Sequence, residues 1–235
     1  MKPSPARASL QSFVVPFDYP VVFTRGVFDP GNSALADALT RRATDRRRVR
    51  AALFVDSGLQ AAWPDLIGRA RDYFRAQAGR VELVGAPRVV PGGEPIKNDP
   101  RFVWKIAGDL LQAGLDRHAS VVVAGGGAVL DAVGFAAALP HRGLRLVRLP
   151  STTLSQADSG VGVKNGVNHG GVKNALGVFA PPFAVLNDLD WLRTLSDDDW
   201  MGGVAEAIKV AVIRDAAFFR ELFARAPDLR RRSDE

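Results

Sequence analysis

Apolar runs alternate with amphipathic stretches along most of this chain. Phe13–Phe17 and Pro20–Thr24, joined through Asp18-Tyr19, predict a short opening hairpin. Asn32 is a good helix cap before Ser33-Ala-Leu-Ala-Asp-Ala-Leu39, which has helical spacing. Val49–Val55 reads as a buried strand and Leu59–Gln77 as a helix; Val81–Val84 is a strand and Phe102–Leu115 a helix. Ser120–Val123, Val129–Leu139 and Leu144–Leu149 then read as strand, helix and strand. Strands alternating with helices at this spacing predict an α/β fold, a mostly parallel sheet flanked by helices. After Pro182 come one more strand, Phe183–Leu186, and two helical segments from Leu189 to Ala224. The rhythm changes near residues 180–195, which predicts an α/β domain over 1–188 and the beginning of a helical domain over 189–235.

The segment from Val121 to Leu139 is nearly continuously apolar and long enough to cross a bilayer. It holds three adjacent glycines and Asp131, which lipid tolerates poorly, so a buried strand, tight turn and helix account for it better.

The stretch Pro150 to Asn174 interrupts the rhythm. Five glycines and three asparagines surround Asp158, Lys164 and Lys173. A long irregular connection costs chain entropy and is usually functional. Basic donors, amides and glycines that allow close approach suit an anionic ligand such as a sugar phosphate. A glycine-rich linker is the plain alternative, but Val161, Val163 and Val167 alternate as in a half-buried hairpin.

Composition narrows the picture modestly. The 235 residues are 47% hydrophobic, enough for a sizeable core. There are no cysteines, which excludes disulfides and thiolate metal sites and fits a cytoplasmic protein. The first residues, from Met1, show no secretory signal. The formal charge is +6, with arginines clustered at 41–42, 46–50 and 230–232. These runs carry no interleaved aromatics or reading motif, so a solvated basic face is expected rather than nucleic-acid binding.

Four further segments carry candidate chemistry. Gly125-Gly-Gly127 follows a strand and opens a helix, where backbone N–H groups can meet a pyrophosphate; a plain tight turn is the alternative. The spacing is not that of the usual dinucleotide fingerprint. Asp56 ends a strand, where it could hold ribose hydroxyls or merely cap a helix. Pro91-Gly-Gly-Glu94-Pro-Ile-Lys97 is a turn with an acid and a base three apart, which could close over a nucleotide or be an ordinary loop. Glu206 and Lys209 lie one turn apart on an apolar helix, which suggests a site rather than a surface pair.

In order along the chain, Gly92-Gly-Glu-Pro-Ile-Lys97, Gly125-Gly-Gly-Ala-Val-Leu-Asp131, Phe135 through Arg142-Gly143, Pro150-Ser-Thr-Thr, Asp158, Lys164, Lys173-Asn174 and Gly203-Val-Ala-Glu-Ala-Ile-Lys209 resemble the 3-dehydroquinate synthase superfamily of sugar phosphate cyclases. The likeness runs from about residue 20 to 220. It implies an NAD-binding domain, with Asp56, Glu94, Lys97, the turn Gly126-Gly127 to Asp131, Ser151, Thr152, Lys173 and Trp191–Thr194 at the cofactor. Arg142, Asp158, Lys164, Asn174 and Lys209 would hold a sugar phosphate, and Glu206 a divalent metal, zinc or cobalt. The implied reaction is a transient oxidation by NAD, β-elimination of phosphate, return of hydride and intramolecular aldol closure. The family also suggests a homodimer.

Three departures qualify the resemblance. Leu130 replaces a usual glycine, and Val163 interrupts a Gly-Gly-Lys run before Lys164. Gly162-Val-Lys-Asn-Gly-Val-Asn-His-Gly-Gly171 is more similar to the branch that cyclises sedoheptulose 7-phosphate. Third, the family's two histidine metal ligands have no match, because His118, His141 and His169 all precede Glu206. His118 and His141 are expected at the surface, and His169 could contact substrate. The expectation is a cyclase represented by a C-terminally truncated chain or one half of a split enzyme. A non-catalytic NAD-binding remnant and a metal-dependent polyol or glycerol-phosphate dehydrogenase are the alternatives.

Overall fold

The computed structural model describes residues 8–44 and 47–232. Arg46 of the basic cluster and both extreme ends of the chain lie outside these residues. Nine strands are present among the described residues: β1 (Val21–Thr24), β2 (Val49–Asp56), β3 (Val81–Leu83), β4 (Arg88–Val90), β5 (Ser120–Gly125), β6 (Arg145–Pro150), β7 (Lys164–His169), β8 (Val172–Phe179) and β9 (Ala184–Asp188). The helices between and after them are α1 (Ala34–Thr40), α2 (Ser57–Ala62), α3 (Leu66–Ala76), α4 (Pro95–Asn98), α5 (Pro100–Gln112), α6 (Gly127–Ala138), α7 (Asp197–Arg214), α8 (Ala216–Ala224) and α9 (Ala226–Arg231).

Seven strands form one wholly parallel sheet in the order β1-β9-β6-β5-β2-β3, with β4 also pairing β2. The central strands are apolar on both faces, as a sheet covered twice requires. In β2 the alternation is visible residue by residue. Ala51, Leu53 and Val55 pack with Leu35, Leu39, Leu66 and Tyr73 of α1 and α3. Ala52 and Phe54 pack with Ile106, Leu110, Val129 and Val133 of α5 and α6 on the other face.

The winding direction reverses between β2 and β5. From β2 the chain crosses one face through α2 and α3 to β3; from β5 it crosses the opposite face through α6 to β6. In such a sheet, that reversal opens a crevice at the carboxyl ends of the two strands. Asp56 and Gly125 are the last residues of β2 and β5, so both stand at its floor.

Several sequence expectations are corrected. The opening hairpin does not form: Phe13 and Phe17 are exposed and in no strand, and β1 runs parallel to β9, Val21 opposite Val185. The expected helix over 59–77 is two, α2 and α3, because Trp63-Pro64-Asp65 breaks it; a proline cannot donate its missing N–H to the helical ladder. The short β4 and α4 have too few residues to show periodicity and were not anticipated. From Leu189 there is first a 3-10 turn to Thr194, then α7 and α8, the two helical segments expected up to Ala224, and beyond them the short α9. No helix among the described residues is long and apolar enough to cross a membrane; the apolar run from Val121 is β5, the glycine turn and α6. Six arginines of the basic clusters are engaged in ion pairs: Arg41 and Arg42 with Asp18, Arg48 and Arg50 with Glu82, Arg231 with Asp228 and Arg232 with Asp197.

Candidate active site

The crevice is a cleft of about 400 Å³ at the carboxyl end of the sheet. Asp56, Gly126, Gly127, Ser151, Thr152, Trp191 and Thr194 are among its lining residues. Asp56 is 7% exposed. Its Oδ1 accepts the Gly58 N–H at 2.7 Å, capping α2, while its Oδ2 accepts the Gly126 N–H at 3.4 Å. The carboxylate therefore locks the glycine turn to the end of β2 and also faces the cleft. Glycines surround it by steric necessity: a Cβ on Gly92 would lie 2.3 Å from Asp56 Oδ1, and one on Gly125 2.7 Å from Asp56 Cβ. Gly126 is the N-cap residue of the twelve-residue α6 and offers no side-chain cap. The first-turn N–H groups of α6 thus open onto the cleft, an arrangement suited to an anionic group such as a pyrophosphate. At the mouth, Trp63 Nε1 donates to Thr194 Oγ1 at 3.1 Å and ties the two walls together.

A second cavity of about 550 Å³ adjoins it, lined by Asp131, Asp158, Ser159, Val163, Lys164 and Asn174 among others. The two share a wall: a Cβ on Gly127 of the cleft would lie 2.6 Å from Ser159 Oγ of this chamber. Lys97, 5% exposed, is aimed at the chamber from α4. Its Nζ donates to Asp131 Oδ2 at 2.8 Å and to Asn174 Oδ1. Burial is the main influence on Asp131 and raises its pKa above the usual carboxylate value, against the pull of Lys97. Asn174 holds a left-handed backbone, φ 52°, a conformation asparagine tolerates better than most residues, and its N–H donates to Asn168 Oδ1. Asn168 in turn donates to Glu94 Oε1 at 2.7 Å and Asn98 Oδ1 at 2.8 Å, clasping the 91–99 turn to the β7–β8 hairpin.

Beneath the chamber lies Arg148, a residue the sequence reading missed. It is wholly buried in β6 and donates to the carbonyls of Ser159, Gly160, Gly162 and Lys164 and to Asn165 Oδ1. Burial pushes its guanidinium pKa down, partly offset by Asp131. An arginine inside the apolar run Leu146-Val-Arg-Leu149 was the available signal.

The remaining predicted residues are distributed unevenly. Glu94 and Lys173 line a third hollow at the hairpin tip with Asn168 and exposed His169, apart from the cleft. Lys97 and Asp131 stand at the chamber, not in the cleft. Arg142 is not brought to either cavity: it precedes β6, at the opposite end of the sheet, with φ 67°. His118 and His141 are exposed. On α7, Gly203 packs so closely on Thr153 that a Cβ would lie 2.3 Å from the threonine Cβ. Glu206, one turn on, is ion-paired to Lys209 at 2.5 Å. Among the described residues no three His, Cys, Asp or Glu side chains converge. Glu206 therefore stands without co-ligands, and these residues do not by themselves fit a metal centre.

An open, doubly wound α/β sheet with a crevice at its reversal point defines the class. Residues 88–202 match the family model described as 3-dehydroquinate synthase N-terminal. The chain is 46% identical over 132 residues to 3-dehydroquinate synthase of Rhodopirellula baltica, covering 55% of this chain and 34% of that protein. Among solved structures, it is similar to ValA, the 2-epi-5-epi-valiolone synthase of Streptomyces hygroscopicus subsp. jinggangensis 5008 with NAD+ and Zn2+ bound. There the identity is 30%, the TM-score 0.80, and the match covers 94% of this chain and 57% of that one. A 2-deoxy-scyllo-inosose synthase complexed with carbaglucose-6-phosphate, NAD+ and Co2+ is 24% identical, with a TM-score of 0.62 over 80% of this chain and 48% of that chain, a likeness of fold. The chain is a relative of the 3-dehydroquinate synthase-like sugar phosphate cyclases. It spans about a third of the first curated relative and little more than half of ValA.

Proposed function

We propose that this protein carries the NAD-binding and much of the substrate-binding surface of a sugar phosphate cyclase acting on a seven-carbon substrate. The observation that carries this reading is the shared wall at Gly127 and Ser159, which sets an anion-receiving cleft directly beside a chamber lined by Lys164, Asp158, Asp131 and Asn174. When bound, NAD supplies a reversible oxidation of a ring hydroxyl. The protein's own contributions are positional and electrostatic. The α6 amides hold the pyrophosphate, Asp56 keeps the glycine turn in place and faces the ribose, and Trp191 and Thr194 close the outer wall. Lys164, exposed at the start of β7, meets the phosphate. Lys97 holds Asp131 and Asn174 in fixed orientations, so the polar groups facing the sugar need not reorganise as charge develops.

For the substrate, the curated relatives and ValA point to different cyclases, and Val163 favours the second. Of the two departures from dehydroquinate synthases, Leu130 is buried in the core and touches neither cavity, whereas Val163 lines the chamber. The candidate substrate is therefore sedoheptulose 7-phosphate. Titration with NAD, followed through tryptophan fluorescence, should give saturable binding. Sedoheptulose 7-phosphate added to the NAD complex should bind more tightly than the substrate of dehydroquinate synthases. A protein that binds no NAD overturns the reading, and the reverse preference overturns the substrate assignment. Because Glu206 lacks co-ligands among the described residues, zinc is expected to bind this chain weakly; tight stoichiometric zinc would contradict that.

A further inference from the structure

Among the described residues no carboxylate is hydrogen-bonded to Arg148. Its charge is met by four main-chain carbonyls and one amide oxygen: Ser159 at 2.9 Å, Gly160 at 3.1 Å and Gly162 at 2.6 Å from Nη1, and Lys164 at 3.3 Å and Asn165 Oδ1 at 2.7 Å from Nη2. Ser159 ends a helical turn, Gly160 and Gly162 lie in the short loop after it, and Lys164 and Asn165 open β7. That loop follows a π-helical turn, Ser155–Ser159, a form frequent at functional sites. Main-chain bonds from Gly160 to the Ser155 carbonyl and from Val161 and Gly162 to the Asp158 carbonyl set its turns, while the carbonyls of 159, 160, 162 and 164 converge on the guanidinium beneath it. Asn165 completes the hub by donating to the Ala180 carbonyl at 3.0 Å. Gly134 of α6 makes room for it, since a Cβ there would lie 1.9 Å from Asn165 Oδ1. With Asn165 directed inward, strand alternation turns Lys164 outward to the chamber.

We propose that Arg148 is a positioning residue: by gathering the carbonyls of 159–164 and the Asn165 amide, it sets how Asp158 and Lys164 are presented to the sugar phosphate. This inference rests on the reading of the chamber as a sugar-phosphate site. A purely structural arginine would affect every ligand alike, whereas a positioning one affects the chamber far more than the cleft, whose lining on β2, α2, α6, the Ser151-Thr152 segment after β6 and the 191–195 stretch receives none of the Arg148 hydrogen bonds. Lysine cannot replace it fully, because one ammonium with three donors cannot span five acceptors.

The test compares wild type with Arg148→Met, Arg148→Lys and Gly134→Ala. NAD affinity, the affinity of the NAD complex for sedoheptulose 7-phosphate, and amide hydrogen exchange across residues 158–166 are measured. The expected result for Arg148→Met is at least a tenfold loss of sugar-phosphate affinity, NAD affinity within twofold of wild type, and faster exchange in the loop. Arg148→Lys should recover part of the loss. Gly134→Ala, which displaces the Asn165 amide and leaves the buried charge in place, should show the same pattern more weakly and carries the test if Arg148→Met does not fold. Unchanged sugar-phosphate affinity, or equal losses for both ligands, overturns the proposal. A wild-type protein that binds NAD but no sugar phosphate overturns the functional reading instead. In that case, unchanged loop exchange in Arg148→Lys and Gly134→Ala would overturn the positioning role as well.

Discussion

The cleft and the chamber are neighbours made by opposite means. The cleft is built from main chain: strand ends, a glycine turn and the first amides of α6, with the Asp56 carboxylate buried in its floor. The chamber is built from side chains linked to one another, Lys97 to Asp131 and Asn174, Asn174 to Asn168, Arg148 to the loop carbonyls. A backbone-made site tolerates changes in what its side chains are but not the addition of a Cβ. A network-made site tolerates bulk at its rim but fails when one link is cut. Rigid nucleotide binding can thus persist while the chamber is retuned for different sugars.

Three substitutions would break or sharpen this contrast. The largest effect is expected from Gly125→Val. Its Cβ would lie 2.7 Å from Asp56 Cβ and 3.3 Å from Val129 Cβ, both on rigid elements. Overpacking of this kind costs about 2 kcal/mol. NAD affinity should fall at least a hundredfold by fluorescence titration, with a lower unfolding midpoint. A variant that binds NAD normally would show that the turn is not rigid. Next, Lys164→Ala removes an exposed side chain, so the unfolding midpoint should not move. Sedoheptulose 7-phosphate affinity should drop by about tenfold, the scale of one charge-assisted contact; an unchanged value would remove Lys164 from the site.

The smallest effect is a pH dependence. Burial raises the Asp131 pKa above 3.8, so between 3.8 and the raised value the native protein holds a proton that the unfolded chain has released. Stability contributed by this group is present below that window and is lost as pH rises through it. Asp131→Asn should flatten this part of the curve of unfolding midpoint against pH. An identical curve would show that Lys97 fully offsets the burial.

How much of this was legible beforehand follows the same division. The α/β fold, its central strands and the glycine turn could be read because they are written in periodicity and in residues with few conformational roles. Asp56 and Gly125 fell at strand ends, where position alone marks a ligand site. Arg148 was hidden because its partners are carbonyls, which every residue carries and no sequence pattern displays. The clasp from Asn168 to Glu94 and Asn98 spans 74 and 70 residues and depends on β4 placing its turn beside β2, and β4 is only three residues long. The failed opening hairpin has a related cause. Phe13–Phe17 has strand composition, but the partner of β1 is β9, chosen by tertiary packing rather than by proximity.

That last pairing carries a consequence for how the molecule is made. Residues 21–24 are synthesised before the other strands of the sheet, yet their partner, 184–188, is made after all of them. The strand made first must wait until nearly all of the sheet has emerged, and the ordering entropy of that long closure is paid late. During this interval the nascent chain would hold β1 as an apolar segment whose partner strand has not yet been made, next to Phe13, Val14 and Phe17, which stay exposed even in the folded chain.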